Sequence, residues 1–188
     1  MKILDIGCGK KKIKGAIGMD IVKHPNVDVV HDITKFPYPF PKESFDIVVA
    51  NHILEHVEFN KDFFGLMDEV YRILKPNGLF KITVPYWKGV HVFSVPEHTR
   101  MFSIFYFNYF DHDPKWRNSG SGQLSRFAKC NFKVIKAKYQ LILAGRWKFL
   151  NFISFIYNIN PYLTEGFLSN FIAPELLVFE LKKMELNE

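Results

Sequence analysis

The first ten residues limit what this chain can fold into more than any other segment. Lys2-Ile-Leu-Asp-Ile-Gly-Cys-Gly-Lys10 is an apolar run that breaks into Gly7-x-Gly9. That is the pattern of a strand entering a turn whose backbone must come close to a bound molecule. Eleven residues past Gly9, a second short apolar run, Ala16-Ile-Gly-Met, ends in Asp20. A carboxylate at the tip of the neighbouring strand is placed to grip the two hydroxyls of a ribose. The third glycine of the dinucleotide fingerprint is absent, with Lys12 at its place, and Gly15 and Gly18 interrupt the stretch where a crossover helix would stand. The first crossover helix is therefore expected to be reduced or absent. Without it there is no helix N-terminus to hold an anion, which leaves Lys10, Lys11 and Lys12 to supply positive potential.

Beyond this turn, strand-like runs alternate with loops up to about Pro85: Lys2 to Ile6, Ala16 to Asp20, Val27 to His31, Phe45 to Asn51 and Gly78 to Pro85. Between the last two, Phe63, Leu66, Met67, Val70, Ile73 and Leu74 recur at helical spacing until Pro76 and Gly78 stop them, so a crossover helix returns to a parallel strand. Such alternation predicts an α/β fold, a doubly wound and mostly parallel sheet. Thr34 to Ser44, with Pro37, Pro39 and Pro41, reads as a rigid extended connection lying across the ligand edge of the sheet. Later in the chain, Ser119 to Asn131 reads as a short helix, Phe132 to Leu143 as a strand, and Glu175 to Leu181 as a final strand near the sheet edge. The aromatic insertion 144–173 contains Phe149, Phe152, Ile153 and Ile156 on one helical face, with Leu150, Phe155 and Tyr157 opposite. An all-round apolar helix is buried or pressed against a partner. Core packing, a lid, a homodimer contact and peripheral membrane contact are the alternatives.

A chain of 188 residues suits one domain with one sizeable core, here a half spanning 1–85 and a second half spanning 86–188. Lys and Arg outnumber Asp and Glu by 25 to 19, a surplus that would favour an anionic substrate or a nucleic acid. There is no long basic block to make it a dedicated nucleic-acid tail. Two cysteines, Cys8 and Cys130, cannot build a disulfide framework. They read as reduced thiols of a cytoplasmic protein. Neither a signal peptide nor a transmembrane span is expected.

Taken together, Leu4-Asp-Ile-Gly-Cys-Gly9, Met19-Asp20, Asp32-Ile33, Phe45-Asp-Ile-Val-Val-Ala-Asn-His-Ile-Leu-Glu-His56 and Arg72-Ile-Leu-Lys-Pro-Asn-Gly-Leu-Phe80 resemble, in order and spacing, the class I S-adenosylmethionine-dependent methyltransferases. They are most similar to the small-molecule enzymes of the type 11 group. The resemblance covers about the first 85 residues. It implies a Rossmann-like, doubly wound, seven-stranded sheet with helices on both faces and the cofactor over the carboxyl ends of the strands. It also implies S-adenosylmethionine as cofactor and S-adenosylhomocysteine as product. Carried across, Asp5, Gly7 and Gly9 shape the turn under the methionine part, while Asp20, with Ile21 beside it, holds the ribose. Asp32 and Ile33 line the adenine, and Asn51 and His52 sit beneath the sulfonium and the carboxylate tail. Asp20 also reads as a plain turn residue, and Asp32 as the start of an Asx turn into Thr34.

The acceptor side is less defined. An oxygen acceptor of high pKa wants a base, and histidine is the side chain that ordinarily titrates near neutrality. His52, His56, His91 and His98 are candidates, with His56 and His98 singled out as catalytic. Arg100 could bind an acceptor carboxylate or phosphate, or pair with Glu97. His52-Ile-Leu-Glu-His56 also matches the H-x-x-E-H zinc pattern, but it follows directly on a buried strand and no downstream pattern places a third ligand. No metal is expected. A small-molecule methyltransferase is the leading reading. A nucleic-acid methyltransferase is the second, disfavoured because Ala50-Asn-His lacks the Asn/Asp-Pro-Pro-aromatic turn. A non-catalytic scaffold on the same fold is the third.

Overall fold

A computed structural model describes residues 1–58, 61–90, 92–112, 128–142 and 153–186. Seven strands form one sheet: β1 (Ile3–Ile6), β2 (Ile17–Asp20), β3 (Val29–Val30), β4 (Phe45–Asn51), β5 (Leu74–Pro85), β6 (Phe132–Gln140) and β7 (Leu176–Lys183), in the order β3-β2-β1-β4-β5-β7-β6. Strands β1 to β5 pair in parallel, and β7 is antiparallel to both β5 and β6. Six strands thus run one way and one runs back. The order reverses at β1, so β1 and β4 diverge at the crevice where an open α/β sheet binds its ligand.

The alternation along each strand sets which face is covered. Leu4, Val48, Phe80 and Leu181 share one row, and Ile6, Ala50, Ile82 and Phe179 the next. All are buried. Over them lies α1 (Lys61–Ile73), whose Phe63, Leu66, Met67, Val70 and Ile73 are completely inside. The 3-10 turn Tyr106–Phe110 extends this layer. Phe107 meets Phe179 at 4.8 Å and Phe110 meets Phe63 at 6.1 Å between ring centroids. On the other face Ile47, Val49, Thr83 and Val178 line a groove of about 350 Å³. Second-face helices are not among the described elements.

Several expectations change. β3 is only two residues long. β7 lies near the sheet edge, as expected, but inserts between β5 and β6, so β6 takes the edge itself. The proline-rich connection does not cross the ligand edge. A parallel neighbour must be entered from the opposite end of the sheet, so the connection runs down α1. Phe36 lies against Gly65, Tyr38 N–H donates to Glu69 Oε1 at 2.6 Å, and Arg72 Nη2 donates to the Phe40 carbonyl at 2.8 Å. Glu43 and Ser44 then bond the last carbonyls of α1.

The aromatic segment, described from 153 onward, is not one helix. It forms α2 (Ser154–Tyr157), α3 (Pro161–Gly166, capped by the Asn160 side chain) and the 3-10 turn Leu168–Asn170. Tyr157, Thr164 and Ser169 turn inward, while Phe155, Ile159, Phe167 and Phe171 are exposed. Glu165 accepts from Trp87 Nε1 at 2.6 Å and from the Tyr139 hydroxyl, tying the segment to the strand ends. The expected helix from Ser119 lies largely outside the described residues, as do Phe149, Leu150 and Phe152.

Candidate functional site

At the carboxyl end of β1 the chain turns through Gly7 (φ 65°) and Gly9 (φ 50°). Both are left-handed conformations that L-residues adopt only at a cost. The two glycines serve different needs. A Cβ on Gly7 would lie 2.5 Å from Ile53 Cγ1, so the turn at β1 and the turn after β4 touch there, whereas a Cβ on Gly9 would meet nothing within 4 Å. Gly9 therefore faces an open cradle. No crossover helix follows. Residues 10 to 16 form a loop, tied down where Ile13 N–H donates to Asp5 Oδ2 at 2.8 Å. Burial raises the pKa of the Asp5 carboxyl, although that amide pulls the other way.

Asp20 closes the turn from the neighbouring strand. Its Oδ2 accepts from Gly9 N–H at 2.8 Å and its Oδ1 from Val22 N–H at 2.9 Å. Each oxygen keeps a lone pair for a further donor. Beside it, Ile21 and Val22 are 63% and 52% exposed, an apolar pair at the open end of β2. Asp32 is the Asx-turn residue that its sequence context suggested: Oδ1 accepts from Thr34 N–H at 2.9 Å and from Thr34 Oγ1 at 2.8 Å. The backbone bond to Thr34 holds its pKa below the usual carboxylate range. Ile33 is half-buried next to it.

Lys12 does not supply free positive potential. Its Nζ lies 2.7 Å from Asp28 Oδ2, which also accepts from Gly18 N–H at 2.7 Å. The Lys12 side chain covers Gly18, where a Cβ would stand 2.5 Å from Lys12 Cδ. Lys10 and Lys11 remain exposed. Cys8 is a small buried filler between the glycines, and burial raises its thiol pKa, which disfavours a nucleophilic thiolate.

After β4 the chain passes through Asn51 and His52, both exposed, and His52 has φ 53°. A non-glycine residue in that region is strained. It is held by His52 N–H donating to the Thr83 carbonyl at 2.9 Å. The following 3-10 turn, Leu54–His56, buries Glu55 and exposes His56. Thr99 N–H and Arg100 N–H both donate to the Glu55 carbonyl, at 2.9 and 3.3 Å. This pairing brings His98 to His56, with ring centroids 4.9 Å apart. His91 lies outside the described residues.

Arg100 is neither an acceptor clamp nor reserved for Glu97. It is buried, and its guanidinium donates to the Val57 carbonyl (3.2 Å), the Glu58 carbonyl (2.7 Å) and the Tyr106 hydroxyl (2.7 Å), lying 3.9 Å from the Phe63 ring centroid. Its work is to staple the turn after β4 to α1. Sequence reasoning missed Ile53, because nothing local marks a side chain that touches Gly7. A concavity of about 790 Å³ between Lys42, Tyr71, Lys133 and Lys183 sits at the amino ends of the parallel strands. It is therefore remote from this cluster.

An open cradle at Gly9, a carboxylate beside it and two exposed apolar side chains at the tip of β2 fit a nucleoside with an attached amino-acid tail. The match to known proteins points the same way. Residues 4–82 match the family model described as a methyltransferase domain. No curated protein matches the sequence. Among solved structures, an S-adenosylmethionine-dependent methyltransferase from Archaeoglobus fulgidus is 18% identical with a TM-score of 0.58, over 97% of this chain and 86% of that one. The Haloferax volcanii complex containing the Trm112 methyltransferase activator gives 17% and 0.55, over 100% and 83%. The Burkholderia thailandensis 1,6-didemethyltoxoflavin-N1-methyltransferase, with that compound and S-adenosylhomocysteine bound, gives 14% and 0.52, over 98% and 71%. Residues 4–82 thus match a methyltransferase domain, and the chain has the fold of solved S-adenosylmethionine-dependent methyltransferases.

Proposed function

We propose that this chain transfers a methyl group from S-adenosylmethionine to a small-molecule acceptor. The observation that carries the reading is the Asp20 carboxylate, fixed by the Gly9 and Val22 amides at the mouth of the open glycine turn. Its remaining lone pairs take the ribose hydroxyls. Ile21 and Ile33 lie against the adenine, and Asp32 accepts from the exocyclic amine. Asp5, Gly7 and Gly9 shape the space for the amino-acid tail, with Asn51 and His52 at the sulfonium. The cofactor supplies an electrophilic methyl on a positively charged sulfur.

Displacement at that methyl needs alignment above all, so the chain's task is to hold the acceptor in line and to accept its proton. His56 and His98, ring to ring at the same strand ends, are the groups proposed to take it. The half spanning 86–188 walls the acceptor, and the chain acts as one domain. A small molecule suits β4, which ends in Ala50-Asn51-His52 and not in the turn used on base amines. No helix among the described residues is long and apolar enough to cross a membrane. A cytoplasmic setting and a homodimer through the exposed Phe155, Phe167 and Phe171 face complete the reading.

Calorimetric titration with S-adenosylmethionine and S-adenosylhomocysteine tests it. Both should bind saturably, and Asp20→Ala should weaken them by about 1.5 to 3 kcal/mol if charge-assisted hydroxyl bonds are made. If the wild-type protein bound neither ligand, the reading would fail.

A further inference from the structure

We infer that Glu55, His56 and His98 form a binding site for a divalent transition-metal cation of the Zn²⁺ kind. A ligating atom from each of the three lies within 4.8 Å of the other two. The observation that singles out this cluster is Glu55. Its side chain is 1% exposed, yet neither carboxylate oxygen has a hydrogen-bond partner, and His52 Nδ1 stands 3.5 Å from Oε1 without a hydrogen bond. His52 pairs with it only when protonated; a buried carboxylate with no hydrogen bond is costly, and a cation among these three residues would supply what it lacks.

His98 is prepared for the same role. Its Nδ1 lies 3.1 Å from the Val92 carbonyl. A carbonyl only accepts, so Nδ1 carries the proton and Nε2 presents its lone pair. Metal-bound histidines are oriented by such a bond on the other ring nitrogen. His56 is exposed and can swing, which opens a path for the ion. Ligands about 2.1 Å from a tetrahedral zinc are roughly 3.4 Å apart, so binding draws together a set whose atoms already lie within 4.8 Å of one another.

Two imidazoles and one carboxylate select zinc, cobalt, iron or manganese over calcium or magnesium, which prefer oxygen donors. The H-x-x-E-H pattern is thus completed from outside itself. Its first histidine, His52, is not among the three, and His98 brings the second imidazole. Three protein donors leave room for a ligand from solution. That an acceptor's oxygen or nitrogen fills it rests on the methyl-transfer reading, whereas the metal site does not; with the cation bound, the two imidazoles hold it and no longer take the acceptor's proton.

The test uses the full chain stripped with a chelator, then titrated with Zn²⁺ by calorimetry and with Co²⁺ by visible absorption. Glu55→Gln and His98→Ala serve as variants, and circular dichroism checks their folding. We expect one equivalent bound at micromolar affinity or tighter, a Co²⁺ spectrum of a nitrogen-oxygen site, a raised Tm with metal, and a loss of more than about tenfold in each variant. Binding unchanged in both folded variants would overturn the site, as would absence of binding to the wild type or preference for Mg²⁺. S-adenosylmethionine titrated into metal-free and metal-loaded protein reports on the methyl-transfer reading separately.

Discussion

Gly7 and Gly9 share a left-handed backbone and differ in what stands over them, so replacing each by alanine separates folding from binding. Alanine in this region costs about 1 to 2 kcal/mol by itself, and that is the whole expected penalty at Gly9, where a Cβ meets nothing within 4 Å. At Gly7 the new methyl would stand 2.5, 2.8 and 2.9 Å from three atoms of Ile53. Ile53 is half-buried against the core and leads into the turn carrying Glu55 and His56. It cannot retreat freely, and overpacking of this kind adds about 1 to 3 kcal/mol. Gly7→Ala should therefore lose about 2 to 5 kcal/mol of unfolding free energy, and Gly9→Ala about 1 to 2 kcal/mol. Urea unfolding followed by tryptophan fluorescence measures both. S-adenosylhomocysteine titration should show the reverse emphasis, with Gly9→Ala folded yet binding poorly, because its methyl occupies the cradle. Equal stability losses would refute the Ile53 argument. A folded Gly9→Ala protein with unaltered affinity would refute the assignment of the cradle.

Two further predictions concern the supports of the site. Arg100→Lys should lower stability by about 2 to 4 kcal/mol, since one ammonium cannot serve the Val57 and Glu58 carbonyls and the Tyr106 hydroxyl together; a urea midpoint unchanged from wild type would contradict the staple. Burial raises the folded pKa of Asp5 above the usual carboxylate range, so the native state favours the protonated form. Its ionisation therefore weakens the fold progressively as pH rises from about the unfolded value through the folded one. Asp5→Asn should gain on the wild type over that interval and hold a constant advantage above it, and parallel stability curves from pH 3 to 7 (a range of roughly four units) would count against the desolvation argument.

The parts of this molecule that could be read from its residues are those decided by neighbours in the chain. Strands β1, β2 and β4 announce themselves because each is a short apolar run closed by a turn residue, and α1 because Phe63, Leu66, Met67, Val70 and Ile73 repeat at helical spacing. Gly7, Gly9 and Asp20 were legible for the same reason: a turn and a strand tip are local objects. What failed was pairing at a distance. The alternation in β7 shows a half-covered strand near the edge but says nothing of which strand lies outside it, a place that β6 takes. Arg100 looked available because the carbonyls that occupy it belong to residues 43 and 42 positions earlier. The histidine pattern carries the same lesson further. Of His52, Glu55 and His56 only the last two belong to the cluster, and nothing downstream of His56 has metal-site spacing. Yet Thr99 and Arg100 pair with the Glu55 carbonyl, and that backbone contact carries His98 to the buried carboxylate. A site assembled by such a contact leaves no local motif, and its trace in the fold is the cost it imposes, a buried carboxylate with no hydrogen bond in the turn after β4.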